Sequence, residues 1–276
     1  MVMQKASALL LLLVSLATAL RPPGLRAYST GALREGAVVL VDAGPRLKKA
    51  RSGHGFRIFN ENEGEFYGET VEALPGDGAG VARCVVGARL RAPPPSEAVS
   101  CALVFAPPKR RKRARFAVEK AVELGCGTLA PVAAARGDVA SVAAFEEAAP
   151  AWAVSAAEQC ERFGPPFLAP TATLAGACAE AVARGERVYL CAEPSLGEAA
   201  VPLLAALAAH PSRSAALAVG PEGGWAPDEV AAARDAAGDS LSLVSLGSAV
   251  LRAETASLAA LAVWRAHVDS GAWRPP

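Results

Sequence analysis

The rhythm of hydrophobic and polar positions changes once along the chain. From about Ala37 to Leu90, short apolar or β-branched runs alternate with glycine-bearing turns: Val38–Val41, Phe56–Phe59, Glu65–Val71 and Val81–Val86. Runs of this length and spacing predict a small β-barrel-like domain. Ala92-Pro93-Pro94-Pro95 then forms a stiff linker. Beyond it, apolar runs alternate with alanine-rich stretches of helical length, which predicts a parallel α/β sheet. The strand candidates are Cys101–Ala106, Thr128–Val132, Val188–Cys191, Ala215–Val219 and Leu241–Leu246. The helical candidates are Arg113–Leu124, Phe145–Glu161, Leu174–Ala183, Ala199–Ala209, Pro227–Ala237 and Glu254–Val268. Alanine fits helix, strand or surface, so its abundance blunts the periodicity without erasing the alternation.

The first stretch follows a different logic. Lys5 precedes an apolar run, Ala6–Leu20, with a leucine block at Leu9–Leu13. That run is short for a membrane span, which takes roughly 20 apolar residues. It ends at Ala17-Thr18-Ala19, a small-x-small cleavage pattern, and Leu20–Arg34 is basic and hydroxylated with no acid before Glu35. Residues 1–34 read as a bipartite presequence, a signal peptide followed by an organelle transit peptide; a plain secretory signal fits the first 25 residues equally well. Its removal leaves a chain with no expected membrane insertion, divided into a barrel at 35–92 and an α/β domain at 97–271.

Composition narrows the classes. The 276 residues are 52% hydrophobic and 20% charged, with mean hydropathy +0.27, which excludes a disordered chain. A formal charge of +1 excludes a globally basic nucleic-acid binder and leaves room for a local basic groove. Cys84, Cys101, Cys126, Cys160, Cys178 and Cys191 make no C-x-x-C pair, and His54, His210 and His267 lie far apart. No metal site is expected, and the cysteine usage favours a reducing destination.

Four stretches carry chemical information. Lys109–Arg115 is a basic run opening a helix, where cations oppose the dipole unless an anion such as phosphate is bound. Glu158-Gln159-Cys160-Glu161-Arg162 ends a helix with an arginine suited to phosphate, a base edge or the dipole itself. Gly220-Pro221-Glu222-Gly223-Gly224 follows an apolar strand and precedes a helix that opens with Pro227, Asp228 and Glu229. It lacks a Walker lysine and a G-x-G-x-x-G pattern, and acids stand where phosphate charge would go, so it suits a neutral or cationic ligand. Finally, Leu246-Gly247-Ser248-Ala249-Val250-Leu251-Arg252-Ala253-Glu254-Thr255-Ala256 joins another strand to the last helix.

Together these motifs resemble the ribosomal RNA small-subunit methyltransferase E family of the SPOUT class. The family's GPEGG-x-x-x-x-E corresponds to Gly220–Gly224 with Glu229, and LG-x-x-x-LR-x-ETA to Leu246–Ala256. Its K-x-x-ELG corresponds to Lys120–Gly125, and EQ-x-x-R to Glu158–Arg162. Gly55–Glu69 is similar to the family's PUA-like RNA-binding domain, whereas the usual His-Leu-x-x-Val-Leu-Arg segment is degraded at Arg46–Ser52.

The resemblance implies a fold: an α/β SPOUT domain with a trefoil-knotted parallel sheet behind a PUA-like β-barrel, paired as a homodimer. It implies transfer of a methyl group from S-adenosylmethionine to N3 of a uridine in small-subunit (16S-type) rRNA, either naked or in an assembled ribosomal subunit. The rivals are ribose 2′-O methylation by the same class, or a non-catalytic RNA-binding module. The residues implied to cradle the cofactor are Glu193, Leu217, Val219, Gly220, Glu222, Gly223, Gly224, Leu246, Gly247, Val250, Leu251 and Thr255. Arg252 is expected to stabilise the uracil oxygen or orient the base, and Glu254 to anchor Arg252 or help the N3 proton leave. Lys109, Arg111, Arg113, Arg136 and Arg162 are the expected RNA contacts. An rRNA substrate turns the presequence reading towards the plastid, with the mitochondrion as alternative.

Overall fold

The computed structural model describes residues 26–29, 32–42, 55–73, 81–93, 100–192, 200–210 and 214–270. It divides between Pro93 and Pro94 into two compact units. The first unit holds β1 (Arg26–Tyr28), β2 (Val38–Asp42), β3 (Gly55–Asn60), β4 (Gly64–Ala73) and β5 (Val81–Arg91). They form one sheet in the order β1-β3-β4-β5-β2, antiparallel throughout except that β1 runs parallel to β3. The end strands β1 and β2 touch, so the sheet curls into a half-barrel. Alternate residues of β3, Phe56 and Ile58, meet Phe66, Cys84 and Val86 in its core, as a half-buried strand requires. Glu65 is buried in the same unit and receives the Arg91 Nε at 2.7 Å.

Part of the segment expected as presequence, residues 26–29 and 32–34, is among the described residues. Ala27 and Leu33 are among the buried core residues, Ser29 is 2% exposed, and the Ser29 N–H donates to the Phe59 carbonyl at 3.0 Å. Arg26–Tyr28 is thus a strand of this sheet, and Ala27 and Leu33 pack in its core. The segment's basic, acid-poor composition resembles a transit peptide, and a three-residue strand is too short to show alternation against that background. The remainder of the presequence, the Arg46–Ser52 segment and Glu193 lie outside the described residues.

The second unit is a seven-stranded parallel sheet with helices on both faces. Its elements are β6 (Cys101–Phe105), α1 (Arg111–Glu123), β7 (Thr128–Pro131), α2 (Val139–Gln159), β8 (Phe167–Leu168), α3 (Leu174–Ala183) and β9 (Arg187–Cys191), then β10 (Val201–Pro202), α4 (Leu203–Ala209), β11 (Ala215–Val219), α5 (Pro227–Ala237), β12 (Leu241–Ser245) and α6 (Ala253–Asp269). The strand order is β10-β12-β9-β11-β6-β7-β8. Two strands that come late in the chain, β11 and β12, are therefore inserted between strands that come earlier.

The central strands are buried on both faces, which is why they read as continuous apolar runs. In β11 the residues Ala215, Leu217 and Val219 face one core, while Ala216 and Ala218 face the other. The first core holds Val118 and Val122 of α1, Phe145 and Trp152 of α2, and Leu261 and Trp264 of α6. The second is shallower and built on Leu174 and Cys178 of α3 with Val230 and Ala233 of α5. Small residues on that side let α3 and α5 pack close to the strands.

Helices α3 and α5 and strand β11 have the bounds expected from the sequence. Helix α2 starts at Val139 instead of Phe145, because Asp138 accepts a hydrogen bond from the Ser141 N–H at 3.0 Å and caps it. Helix α1 starts at Arg111, taking more of the basic run into the helix, with no acid in its first turn. The two-residue edge strands β8 and β10 were not expected, since so short a strand leaves no periodicity. All six cysteines are thiols, not disulfides. Among the described residues no helix is long and apolar enough to cross a membrane.

Candidate functional site

In a parallel sheet all strand ends of one polarity lie along one edge, and clefts open where neighbouring strands send their chains apart. Strands β12, β9 and β11 are adjacent and in register, with Leu190 opposite both Leu243 and Ala218. Their carboxyl ends open side by side onto a cleft, the place where open parallel sheets bind ligands. The chain after β9 supplies Cys191 and Ala192 to its wall. The loop after β11 supplies Gly220, Pro221, Gly224 and Trp225; the loop after β12 supplies Leu246, Gly247, Ala249, Val250 and Leu251. Ala253 and Ala256 of α6 complete it, with Val219 at the end of β11.

Each loop depends on one backbone conformation that favours glycine. Gly224 has φ +69° and Gly247 has φ +122°. Gly224 closes a turn by donating to the Pro221 carbonyl at 2.9 Å. The Gly247 N–H donates to Ser245 Oγ at 3.1 Å. Trp225 is 2% exposed, and its indole nitrogen has no hydrogen-bond partner.

Three outside groups fasten the first loop. Glu229 accepts from the Ala226 N–H and from the Ala135 N–H, both at 2.9 Å, joining the start of α5 to the chain after β7. Arg136 Nη1 donates to the Gly223 carbonyl at 3.0 Å. Arg113 Nη1 lies 3.8 Å from Glu222 Oε1, and its Nε lies 3.4 Å from Glu254 Oε1. Glu254 is buried, and its Oε2 has no hydrogen-bond partner.

These contacts revise several expectations. Glu254 pairs with Arg113, so its expected role as the anchor of Arg252 is not what the structure holds. Arg252 stands at the N-cap of α6, exposed, and forms no ion pair among the described residues. Arg113 and Arg136, expected on RNA, are turned towards the cleft loops. Arg162 donates from Nη1 to the carbonyls of Cys126 at 2.7 Å and Val122 at 3.0 Å, fastening the end of α1. Burial pulls its guanidinium below the ordinary arginine value. Lys109 and Arg111 remain exposed, and the Arg111 guanidinium rests 5.4 Å from the Trp152 ring centre.

Of the expected cofactor residues, Val219, Gly220, Gly224, Leu246, Gly247, Val250 and Leu251 line the cleft. Leu217 lies in the strand beneath it, fully buried, while Glu222, Gly223 and Thr255 are exposed off its wall. Cys191, Ala192, Pro221, Trp225, Ala249, Ala253 and Ala256 were missed. Cys191 was legible as the last residue of a strand beside β11; the alanines offer no chemical signal. Burial pushes the Cys191 thiol up to about 12, so it meets a ligand as a neutral apolar surface.

The lining side chains are thus apolar, polar groups come from the backbone of two loops, and Glu222 and Glu254 are next in the chain to lining residues Pro221 and Ala253. This suits a ligand with a flat apolar part and a cationic centre, bound without phosphate. Residues 95–265 match the sequence model of a family described as an RNA methyltransferase domain. The fold is shared with solved structures. A chain of Legionella pneumophila described as a methyltransferase, in complex with S-adenosylmethionine, is 22% identical with TM-score 0.69 over 88% of this chain and 97% of that one. A ribosomal RNA small subunit methyltransferase E of Neisseria gonorrhoeae bound to S-adenosylmethionine is 21% identical, with TM-score 0.65 over 89% and 97%. A Porphyromonas gingivalis chain described as an rRNA-methyltransferase is 20% identical, with TM-score 0.64 over 83% and 90%.

Proposed function

The chain belongs to the RNA methyltransferase domain family, and from that premise we propose that it methylates N3 of one uridine in small-subunit rRNA with S-adenosylmethionine as donor. The observation that carries this reading is the convergence of three strand ends on one apolar cleft, with Arg252, which has no ion pair among the described residues, next in the chain to its wall. The residues fit the donor. The faces of Val219, Leu246, Val250 and Leu251 suit adenine, and the loop backbones suit its polar edges. When bound, S-adenosylmethionine supplies an electrophilic methyl group.

The chain's own residues then have three tasks. They must admit a base that is unpaired or turned out of its stack, hold N3 in line with the methyl group, and stabilise the charge that develops on uracil oxygen as the N3 proton leaves. Arg252 supplies five fixed N–H donors and follows Leu251 of the wall, which supports its role on that oxygen. Glu254 follows Ala253 of the wall, and that place in the chain supports its role in the departure of the N3 proton. Lys109 and Arg111, exposed at the start of α1, are the RNA-backbone contacts in this reading.

The same reading includes threaded crossings at the carboxy end, supported by the insertion of β11 and β12 between earlier strands. It also includes a homodimer, a PUA-like role for the half-barrel, and import into a plastid by the presequence, with the mitochondrion as alternative. The decisive experiment incubates purified protein and S-adenosylmethionine with small-subunit rRNA, followed by digestion and mass spectrometry. A base-methylated uridine is expected; methyl on ribose, or none, overturns the reading. For location, the first 35 residues fused to a fluorescent reporter are expected in the plastid, and export to the medium overturns the organelle.

A further inference from the structure

The basic run that opens α1 is not uniform. Lys109, Arg110, Arg111, Lys112 and Arg115 are exposed, whereas the Arg113 side chain is 24% exposed and points between two carboxylates. Those carboxylates adjoin lining residues on two segments that flank the cleft: Glu222 beside Pro221 in the loop after β11, Glu254 beside Ala253 in the first turn of α6. Neither distance, 3.8 Å nor 3.4 Å, is that of a close hydrogen bond. The guanidinium therefore acts as a charge held between two opposite charges. Glu254 gives the bridge its weight. Its side chain is 10% exposed, its Oε2 is sealed without a partner, and Arg113 is its one cation among the described residues. A carboxylate in that position depends on its single counter-charge.

We infer that Arg113 is a positioning residue of the cofactor cleft, which by bridging Glu222 and Glu254 sets the spacing between the loop after β11 and the start of α6, the two segments that flank the S-adenosylmethionine site. The inference rests on the reading that S-adenosylmethionine binds in this cleft. It separates Arg113 from Lys109, Arg110, Arg111 and Lys112, which stand exposed where RNA phosphate could reach them. A positioning arginine and a phosphate contact leave opposite signatures. Loss of the first weakens donor binding at constant RNA affinity. Loss of the second weakens RNA binding and lowers its salt dependence by about one contact.

The test uses the full chain and titrates S-adenosylmethionine calorimetrically into wild type, R113K, R113Q, E222Q and the R113Q/E222Q pair. Binding to an rRNA fragment is measured in parallel at several salt concentrations. R113Q is expected to weaken S-adenosylmethionine binding about tenfold, and R113K to recover part of that loss because the charge remains. E222Q is expected to cost about threefold alone and nothing further on top of R113Q, since both substitutions cut one bridge. RNA affinity and its salt slope are expected to stay at wild-type values. Unchanged donor binding in R113Q with weaker, less salt-sensitive RNA binding overturns the inference. If R113Q fails to fold, E222Q decides, and wild-type donor affinity there overturns it. A wild-type chain that binds no S-adenosylmethionine overturns the functional reading itself, and this inference with it.

Discussion

The two loops that form the cleft are built in opposite ways. The loop after β11 is held from outside: Glu229 links it to the chain after β7, Arg136 takes the Gly223 carbonyl, and Arg113 faces Glu222. The loop after β12 is held mainly from within, by the contact between Ser245 Oγ and Gly247, and it ends in an exposed Val250 and an exposed Arg252. A ligand therefore meets one wall that is already ordered and one that adapts to it. Order bought by tertiary contacts in the first wall need not be supplied by binding energy; the second wall is where binding energy and substrate approach are expressed.

Substitutions sharpen or break this contrast. The largest effect is expected at Arg252, where Arg252→Ala lowers kcat by about 10²-fold or more with the melting temperature unchanged. Single-turnover methylation and thermal melts check this, and wild-type turnover removes Arg252 from the chemistry. Next come the two glycines, where alanine introduces strain of about 1–3 kcal/mol. In the adaptable loop, Gly247→Ala is expected to weaken S-adenosylmethionine binding roughly tenfold with little change in melting. In the fastened loop, Gly224→Ala is expected to lower the melting temperature by several degrees, at about 2–4 °C per kcal/mol. The reverse pattern, read by calorimetry and melting, breaks the comparison.

Smaller effects follow. Arg136→Ala removes one hydrogen bond worth about 1 kcal/mol, so donor affinity is expected to fall about fivefold, with RNA affinity constant. The smallest signal is at Cys191. With its thiol pushed up to about 12, only roughly one molecule in 10⁴ is thiolate at pH 8. Iodoacetamide is expected to leave it unlabelled at that pH, and rapid labelling would show the wall to be more open than described.

Much of the α/β unit was legible in the sequence because its signals are local. Strand β11 is a five-residue apolar run ending in glycine, and α5 opens with Pro227 and two acids, so both could be bounded by reading a few residues. The motif loops likewise coincide with the cleft walls. What escaped was the partner of each charged side chain. Arg113, Arg136 and Arg162 look alike in sequence as candidates for phosphate, yet one faces carboxylates, one a loop carbonyl and one the end of α1. An arginine's partner is set by which strands become neighbours, and no spacing in the chain carries that information. Cys191 and Ala253 were missed for a related reason: an apolar residue becomes part of a site only through its position at the sheet edge.

Strand β1 has a practical consequence. A recombinant form started at residue 35, where composition alone would cut, loses the strand that covers β3 through Arg26–Arg57 and Tyr28–Phe59 pairing. The uncovered backbone of β3 would then be free to pair with another molecule, a familiar route to insoluble protein, and Ala27 and Leu33 would leave a gap in the half-barrel. Expression from Arg26 or earlier preserves both the seal and the filling.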